Sequence, residues 1–353
     1  MPDWSLLPED LLHIISTHLE NCFDVVHARS VCSSWRSALP LPCILSRLSY
    51  SLPSYAEFPY ESEDLFTLKK VPWFLFRVRT PSAFATKYFL GGIGRRDESE
   101  DHTELPSPLQ CSVKIPRSSD SEPTLMNMLD FQILSLGYEY RMFGWRPRYY
   151  RGVAFLPLNK EGGGEDFVVL ISCSNGLLVL TSAEMKWKQL ENVPKKTGRG
   201  VVTFGGKFYA SFYDEIVVID PYSLDVTLLM PSLQPLGELH YLVPYGNDEL
   251  FLVDKCQRPF GLRVSRLDEV AGKWVEVTDL GNRVMFMRDL ENFCCSAKEL
   301  GVSGNLILFT NLISDLTFFY KYEVREEDGL MCWSVTFPGR YPVVAFRVEQ
   351  ASP

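Results

Sequence analysis

Apolar residues recur at helical spacing only at the N-terminal end of the chain. Pro8 suits the first turn of a helix, where its missing N–H costs nothing, and Glu9 and Asp10 stand where the helix dipole favours negative charge. Leu11, Leu12, Ile15 and Leu19 then fall on one face, which Ile14 widens. Asn21 and Asp24 are candidate caps for a second short helix containing Val25, Val26 and Ala28, and Val31, Trp35 and Ala38 at i, i+4 and i+7 predict a third. The run 39–53, with Pro40, Pro42 and Pro53, breaks helix and reads as a connector. The expected division is therefore 1–45 as a helical domain, 46–55 as a linker and 56–350 as the body.

In the body the period changes. Short runs of β-branched and aromatic residues alternate with Gly, Asn, Asp and Pro, which is the pattern of an all-β domain. Strands are expected at 167–172, 177–181, 201–204, 207–212, 216–219, 225–229, 240–243, 249–253, 262–265, 273–277, 305–309, 318–324 and 331–335. Upstream, 74–78, 87–90, 111–114, 131–136 and 153–156 supply more, and 343–348 is a candidate for closing a ring. The strands group into units of roughly 40–60 residues, several ending in Lys-Trp or Cys-Trp before an alternating apolar run. One such unit cannot bury both its faces; a ring of them can, so the period predicts a β-propeller, with about six or seven blades over the body. The fold class expected is mainly β with a small N-terminal α-helical domain.

Composition narrows the function. Of 353 residues 46% are hydrophobic and 22% charged, close to soluble globular usage, and 35 Lys+Arg against 44 Asp+Glu give a net charge of −9. That sign disfavours nucleic acid or anionic lipid as the main partner. The nine cysteines form no C-x-x-C pair, no Asn-x-Ser/Thr acceptor occurs, and the start lacks a signal peptide's pattern, so an intracellular address, nuclear or cytoplasmic, is expected. No apolar stretch approaches the roughly 18 residues of a membrane span.

The head carries the specific motif. Leu7-Pro8-Glu9-Asp10-Leu11-Leu12, then Ile15, Leu19, Asp24, Arg29, Val31-Cys32 and Trp35-Arg36, resembles an F-box in order and spacing. Three helices of this size fall below the size at which a domain usually holds itself together, yet they show apolar side chains on more than one face, which calls for a foreign surface. The resemblance implies that this surface belongs to a Skp-family adaptor and, through it, a cullin. Carried over by motif position, Leu7, Pro8, Leu11, Leu12, Ile15, Leu19, Val25, Val31, Cys32 and Trp35 would build or support the adaptor contact, with Arg29 and Arg36 at its rim.

The body is similar to the KIB-type propeller of plant F-box proteins, including the Skp-interacting-partner subgroup. The residues that carry this are 129–140, Gly206-Lys207-Phe208-Tyr209, 216–221 and 272–277, together with the Trp4-Ser5 opening. Neither paired glycines in every blade, as in kelch, nor Trp-Asp endings, as in WD40, are present. The resemblance implies the substrate-recognition subunit of a Skp–cullin–F-box ubiquitin ligase, non-catalytic and without cofactor or metal, whose propeller holds an unidentified target protein.

Other chemistry finds little footing. The five histidines make no H-E-x-x-H; Gly205-Gly206-Lys207 precedes Phe208, where a phosphate loop needs Ser or Thr. Cys294-Cys295 on a strand would point to opposite faces. Lys195-Lys196-Thr197-Gly198-Arg199 reads as a solvated turn or an import signal, and 91–123, with its acidic run 97–101, as a solvated loop or a partner-binding segment. Two rival functions stand beside the main one: a non-degradative F-box scaffold or sensor, and a propeller enzyme or carbohydrate-binding protein.

Overall fold

The computed structural model describes residues 4–19, 22–39, 49–55, 65–78, 87–92, 112–115, 124–127, 131–145, 149–158, 166–174, 176–194, 198–229, 239–256, 261–287, 292–301, 304–309, 323–327, 330–334 and 344–347. A single 3-10 turn, Trp4–Leu6, leads into α1 (Glu9–His18), α2 (Cys22–Arg29) and α3 (Ser33–Ala38). The Pro8 carbonyl accepts from the N–H of Leu11 and of Leu12, so proline stands where the helix has no use for its missing donor. Asp24, read as a cap, lies inside α2, and α3 starts two residues after Val31, which is left in the preceding turn.

The body opens with β1 (Ser49–Pro53), β2 (Leu65–Val78), β3 (Lys87–Gly92) and β6 (Phe131–Phe143), which form one sheet; β4 (Ser112–Ile115) and β5 (Thr124–Asn127) make a separate hairpin. The second sheet is β7 (Tyr150–Leu158), β8 (Asp166–Cys173), β9 (Gly176–Thr181) and β10 (Lys188–Gln189). The third is β11 (Gly198–Phe204), β12 (Lys207–Phe212), β13 (Ile216–Ile219) and β14 (Val226–Leu229). The fourth is β15 (Leu239–Tyr245), β16 (Glu249–Cys256), β17 (Gly261–Asp268) and β18 (Lys273–Val277). In these three the strands follow one another as antiparallel meanders. The fifth sheet departs from that plan. Its order is β20 (Phe293–Ser296), β19 (Arg283–Met287), β21 (Leu306–Phe309), β24 (Val344–Arg347), with β19 and β21 parallel across a crossover that includes α4 (Ala297–Leu300). β22 (Glu323–Glu327) and β23 (Leu330–Ser334) form a hairpin of their own.

Five inner strands close the ring: β6 lies against β7, β7 against β11, β11 against β15, β15 against β20 and β20 against β6. Alternation along each strand supplies both faces of each blade. On β8, Val169 and Ile171 pack toward the first sheet, with Phe66, Leu68 and Met142, while Val168 and Leu170 pack toward the third, with Phe208, Ala210 and Phe212. Leu242, Leu250 and Leu252 meet Phe204 and Tyr209 between the third and fourth sheets, and Val253 and Val264 meet Met285 and Ile307 between the fourth and fifth.

The seam between β20 and β6 is different. Leu136 is the extra residue of a bulge on β6, where the register with β2 shifts, and the next residue, Gly137, adopts φ 140°. A Cβ there would stand 3.0 Å from the Phe293 ring, so only glycine lets β20 approach, and the Cys295 thiol donates to the Leu136 carbonyl at 3.6 Å.

Two expectations are corrected. The described residues form five four-stranded sheets, not six or seven blades. The reason lies in β2 and β6, 14 and 13 residues long, which unite in one sheet the stretches that read as pieces of separate blades. Likewise β24, within 343–348, does not close the ring: it pairs with β21 at the edge of the fifth sheet, and β23, which covers most of 331–335, lies beside β24 as one strand of the β22–β23 hairpin. Residues 318–322, 159–165, 195–197 and most of 93–123 lie outside the described residues, and with them the triple glycine, the lysines of the basic cluster and the acidic run.

Candidate functional site

Leu12, Ala28, Trp35 and Leu39 form the buried core of the head, with Leu7, Ile15, Leu19, Cys32 and Ala38 packed partly against it; Val25 is also buried. Both α1 and α2 rest on α3. Two polar links fix the arrangement. The indole N–H of Trp35 donates to the Trp4 carbonyl at 2.8 Å, tying the entry segment to α3. The Arg29 guanidinium donates to the carbonyls of Arg36 and Leu39, meeting acceptors that the end of α3 leaves without a helical partner.

The twelve residues of the motif therefore divide. Leu12, Val25 and Trp35 face inward and act on any outside contact only by holding the helices. Leu7, Ile15, Leu19 and Cys32 are half-buried at the margin, and Arg29 serves α3 from within the head. Pro8, Leu11, Val31 and Arg36 are exposed. Three exposed apolar residues join them: Trp4 (58% exposed), Leu6 (77%) and Ile14 (55%). Leu11 and Ile14 are three apart on α1 and so lie on one side of it. Trp4 and Leu6 escape a periodicity search because they precede the helix; what marks them in the sequence is only their chemistry, apolar side chains flanking Ser5 ahead of Leu7-Pro8.

No cluster of three metal-ligating side chains occurs among the described residues. In the body, the buried charges are paired along the sheets: Glu139 with Arg141, and Asp254 with Arg263, both at 2.5 Å. Burial pushes the thiols of Cys173 and Cys295 up to about 12 and that of Cys294 higher still. Gly205 and Gly206, with φ of 55° and 71°, form the two-residue turn of a β-hairpin.

A helical head with exposed apolar side chains followed by a closed ring of β-sheets defines a two-part architecture. Residues 4–47 match the F-box domain and residues 49–334 match the KIB1-4 beta-propeller. Two F-box/kelch-repeat proteins of Arabidopsis thaliana are 54% and 53% identical to the chain, each alignment covering 99% of it and 97% of the relative. The F-box protein SKIP23 of the same plant is 26% identical over 85% of this chain and 81% of its own. The chain belongs to the KIB1-4 beta-propeller family of F-box proteins. The F-box, as a class of domain, pairs with a Skp-type adaptor.

Proposed function

We propose that this protein is the target-recognition subunit of a Skp–cullin–F-box ubiquitin ligase. The head docks on a Skp-family adaptor through Trp4, Leu6, Pro8, Leu11, Ile14 and Val31, and the propeller holds a target protein. The observation that carries the reading is the apolar surface that the head keeps in contact with solvent although it possesses a core of its own. Exposed Leu and Ile on neighbouring turns are the anchors by which one helix interlocks with the helices of a partner.

The chain itself makes and breaks no bond in this scheme. Its contribution is proximity: holding a target beside the ubiquitin donor converts an encounter in solution into one within a complex. The test is co-purification of the full chain with a Skp-family adaptor, comparing wild type with Leu11→Asp/Ile14→Asp. Loss of the adaptor from a variant whose thermal unfolding is unchanged supports the reading; undiminished retention overturns it. Ubiquitin transfer to a bound target in the reconstituted ligase then separates a receptor from a scaffold.

A further inference from the structure

Among the described residues of the body, six large apolar side chains are exposed: Met185, Tyr213, Tyr222, Leu228, Val270 and Val275. Five of them fall on the fourth strands of successive sheets or on the turns leading into them. Met185 is in the turn between β9 and β10, Tyr222 in that between β13 and β14, and Val270 in that between β17 and β18; Leu228 and Val275 are on β14 and β18. Single exposed apolar residues are ordinary, but the same turn carrying one in three consecutive blades is a pattern that folding does not require. Val270 is fully exposed and Tyr222 is 63% exposed, so neither contributes to a core.

In an antiparallel meander the first-to-second and third-to-fourth turns emerge on one face and the second-to-third turn on the other. The third and fourth sheets share that face. The Glu269 carboxylate lies 3.6 Å from where a Cβ on Gly205 would stand, and its charge reaches Tyr209. The turns 205–206, 220–225, 246–248 and 269–272 hold four carboxylates, Asp220, Asp225, Asp248 and Glu269, and no Lys or Arg. Lys207 and Lys273 stand at adjoining strand ends, Lys207 close enough to act on Asp220, whose carboxylate also accepts from the N–H groups of Tyr222 and Ser223. Gly206 and Gly272 have nothing within 4 Å of a would-be Cβ, which leaves bare backbone in the β11–β12 turn and beside Val270 in the β17–β18 turn.

We propose that this turn face of the third and fourth sheets, bounded by Tyr222 and Val270, docks a basic segment of the target protein that also carries an apolar side chain. The proposal rests on the reading of the propeller as the target-binding part. Tyr222 and Val270 supply apolar contact, the acidic turns select the sign of the partner, and the glycines let its main chain come close.

The experiment uses the full chain with its adaptor and three fluorescent peptides of alternating sequence: Arg with Leu, Gln with Leu, and Glu with Leu. The Arg peptide is expected to bind at least about tenfold tighter than the Glu peptide at low salt. Tyr222→Ser/Val270→Ser is expected to weaken it by about fivefold or more, and each single change by less. Asp248→Lys/Glu269→Lys is expected to abolish the preference, whereas Glu191→Lys/Asp214→Lys, the same change of net charge on turns of the other face, leaves it. Equal effects of the two charge reversals mean attraction to net charge alone and overturn the proposal, as does binding indifferent to Tyr222 and Val270. Adaptor retention is read in the same samples. Loss of the adaptor with peptide discrimination intact sinks the receptor reading but not this surface; the reverse sinks the surface only.

Discussion

Leu11 and Leu12 are neighbours in sequence with opposite fates, and the difference defines what a substitution at each does. Leu12 is wholly buried, so Leu12→Ala is expected to cost about 2–5 kcal/mol and to loosen the head. Leu11→Ala, at an exposed site, is expected to change stability by no more than about 0.5 kcal/mol while weakening adaptor binding; chemical denaturation and co-purification on the same preparations check both. Periodicity predicts this face but does not divide it, because adjacent apolar residues on a short helix fit either an inner or an outer role until α3 is placed. Trp35 illustrates the point: as a motif residue it reads as a contact, and as a buried side chain bonded to the Trp4 carbonyl it positions one. The buried thiols give a second residue-scale expectation. Cys173 and Cys295 stay protonated in the folded protein up to about 12, whereas in the unfolded chain they ionise near their ordinary value of 9.0. The unfolded state therefore loses protons first, and stability is expected to fall as pH rises from about 9 toward 12. Cys173→Ala/Cys295→Ala flattens that decline in urea titrations if burial of the thiols causes it, and an unchanged slope assigns the decline to other groups.

At the scale of elements, the regular meanders were readable and the irregular sheets were not. The strands 207–212, 216–219 and 273–277 form as the alternation predicts, and Gly205-Gly206 turns the chain as a hairpin. The fifth sheet escaped because a parallel strand arrives by crossover, so sequence order no longer gives spatial order. The long β2 and β6 escaped because mixed polar residues within them, such as Lys69-Lys70 and Glu139-Tyr140-Arg141, look like breaks. Close backbone approaches are equally invisible in a sequence. Gly304 would place a Cβ 2.2 Å from the Gly281 carbonyl oxygen, a contact no side-chain rotation relieves, whereas Gly206 has open space and only a φ of 71° against it. Gly304→Ala is accordingly expected to lower the thermal midpoint well beyond Gly206→Ala, whose cost is about 1–2 kcal/mol for a side chain at left-handed φ. Equal midpoints for the two would mean that the 281–282 turn yields freely.

For the whole molecule, the decisive feature is where the ring closes. The inner strand β6, contributed by the first sheet, meets β20, and the terminal strand β24 sits at an outer edge. A chain ending at residue 343 is therefore expected to retain cooperative unfolding at a reduced midpoint, while one beginning at residue 144, without β6, loses it; calorimetry distinguishes them, and the opposite order would place the closure elsewhere. The division into a helical part and a strand-rich part was legible from the start, since helical spacing is confined to 6–38 and alternation lies beyond it. The blade count was not, because it depends on which strands share a sheet.

The account stands on the head's exposed apolar surface being an interface. Titrating the purified full chain with a Skp-family adaptor in a calorimeter tests that directly, with Leu6→Ser/Leu11→Ser/Ile14→Ser as the comparison. The account predicts a saturable one-to-one complex for the wild type and a loss of affinity of at least about a hundredfold for the variant, with its unfolding curve unmoved. Equal affinity for the two, or no complex with the wild type, would contradict it.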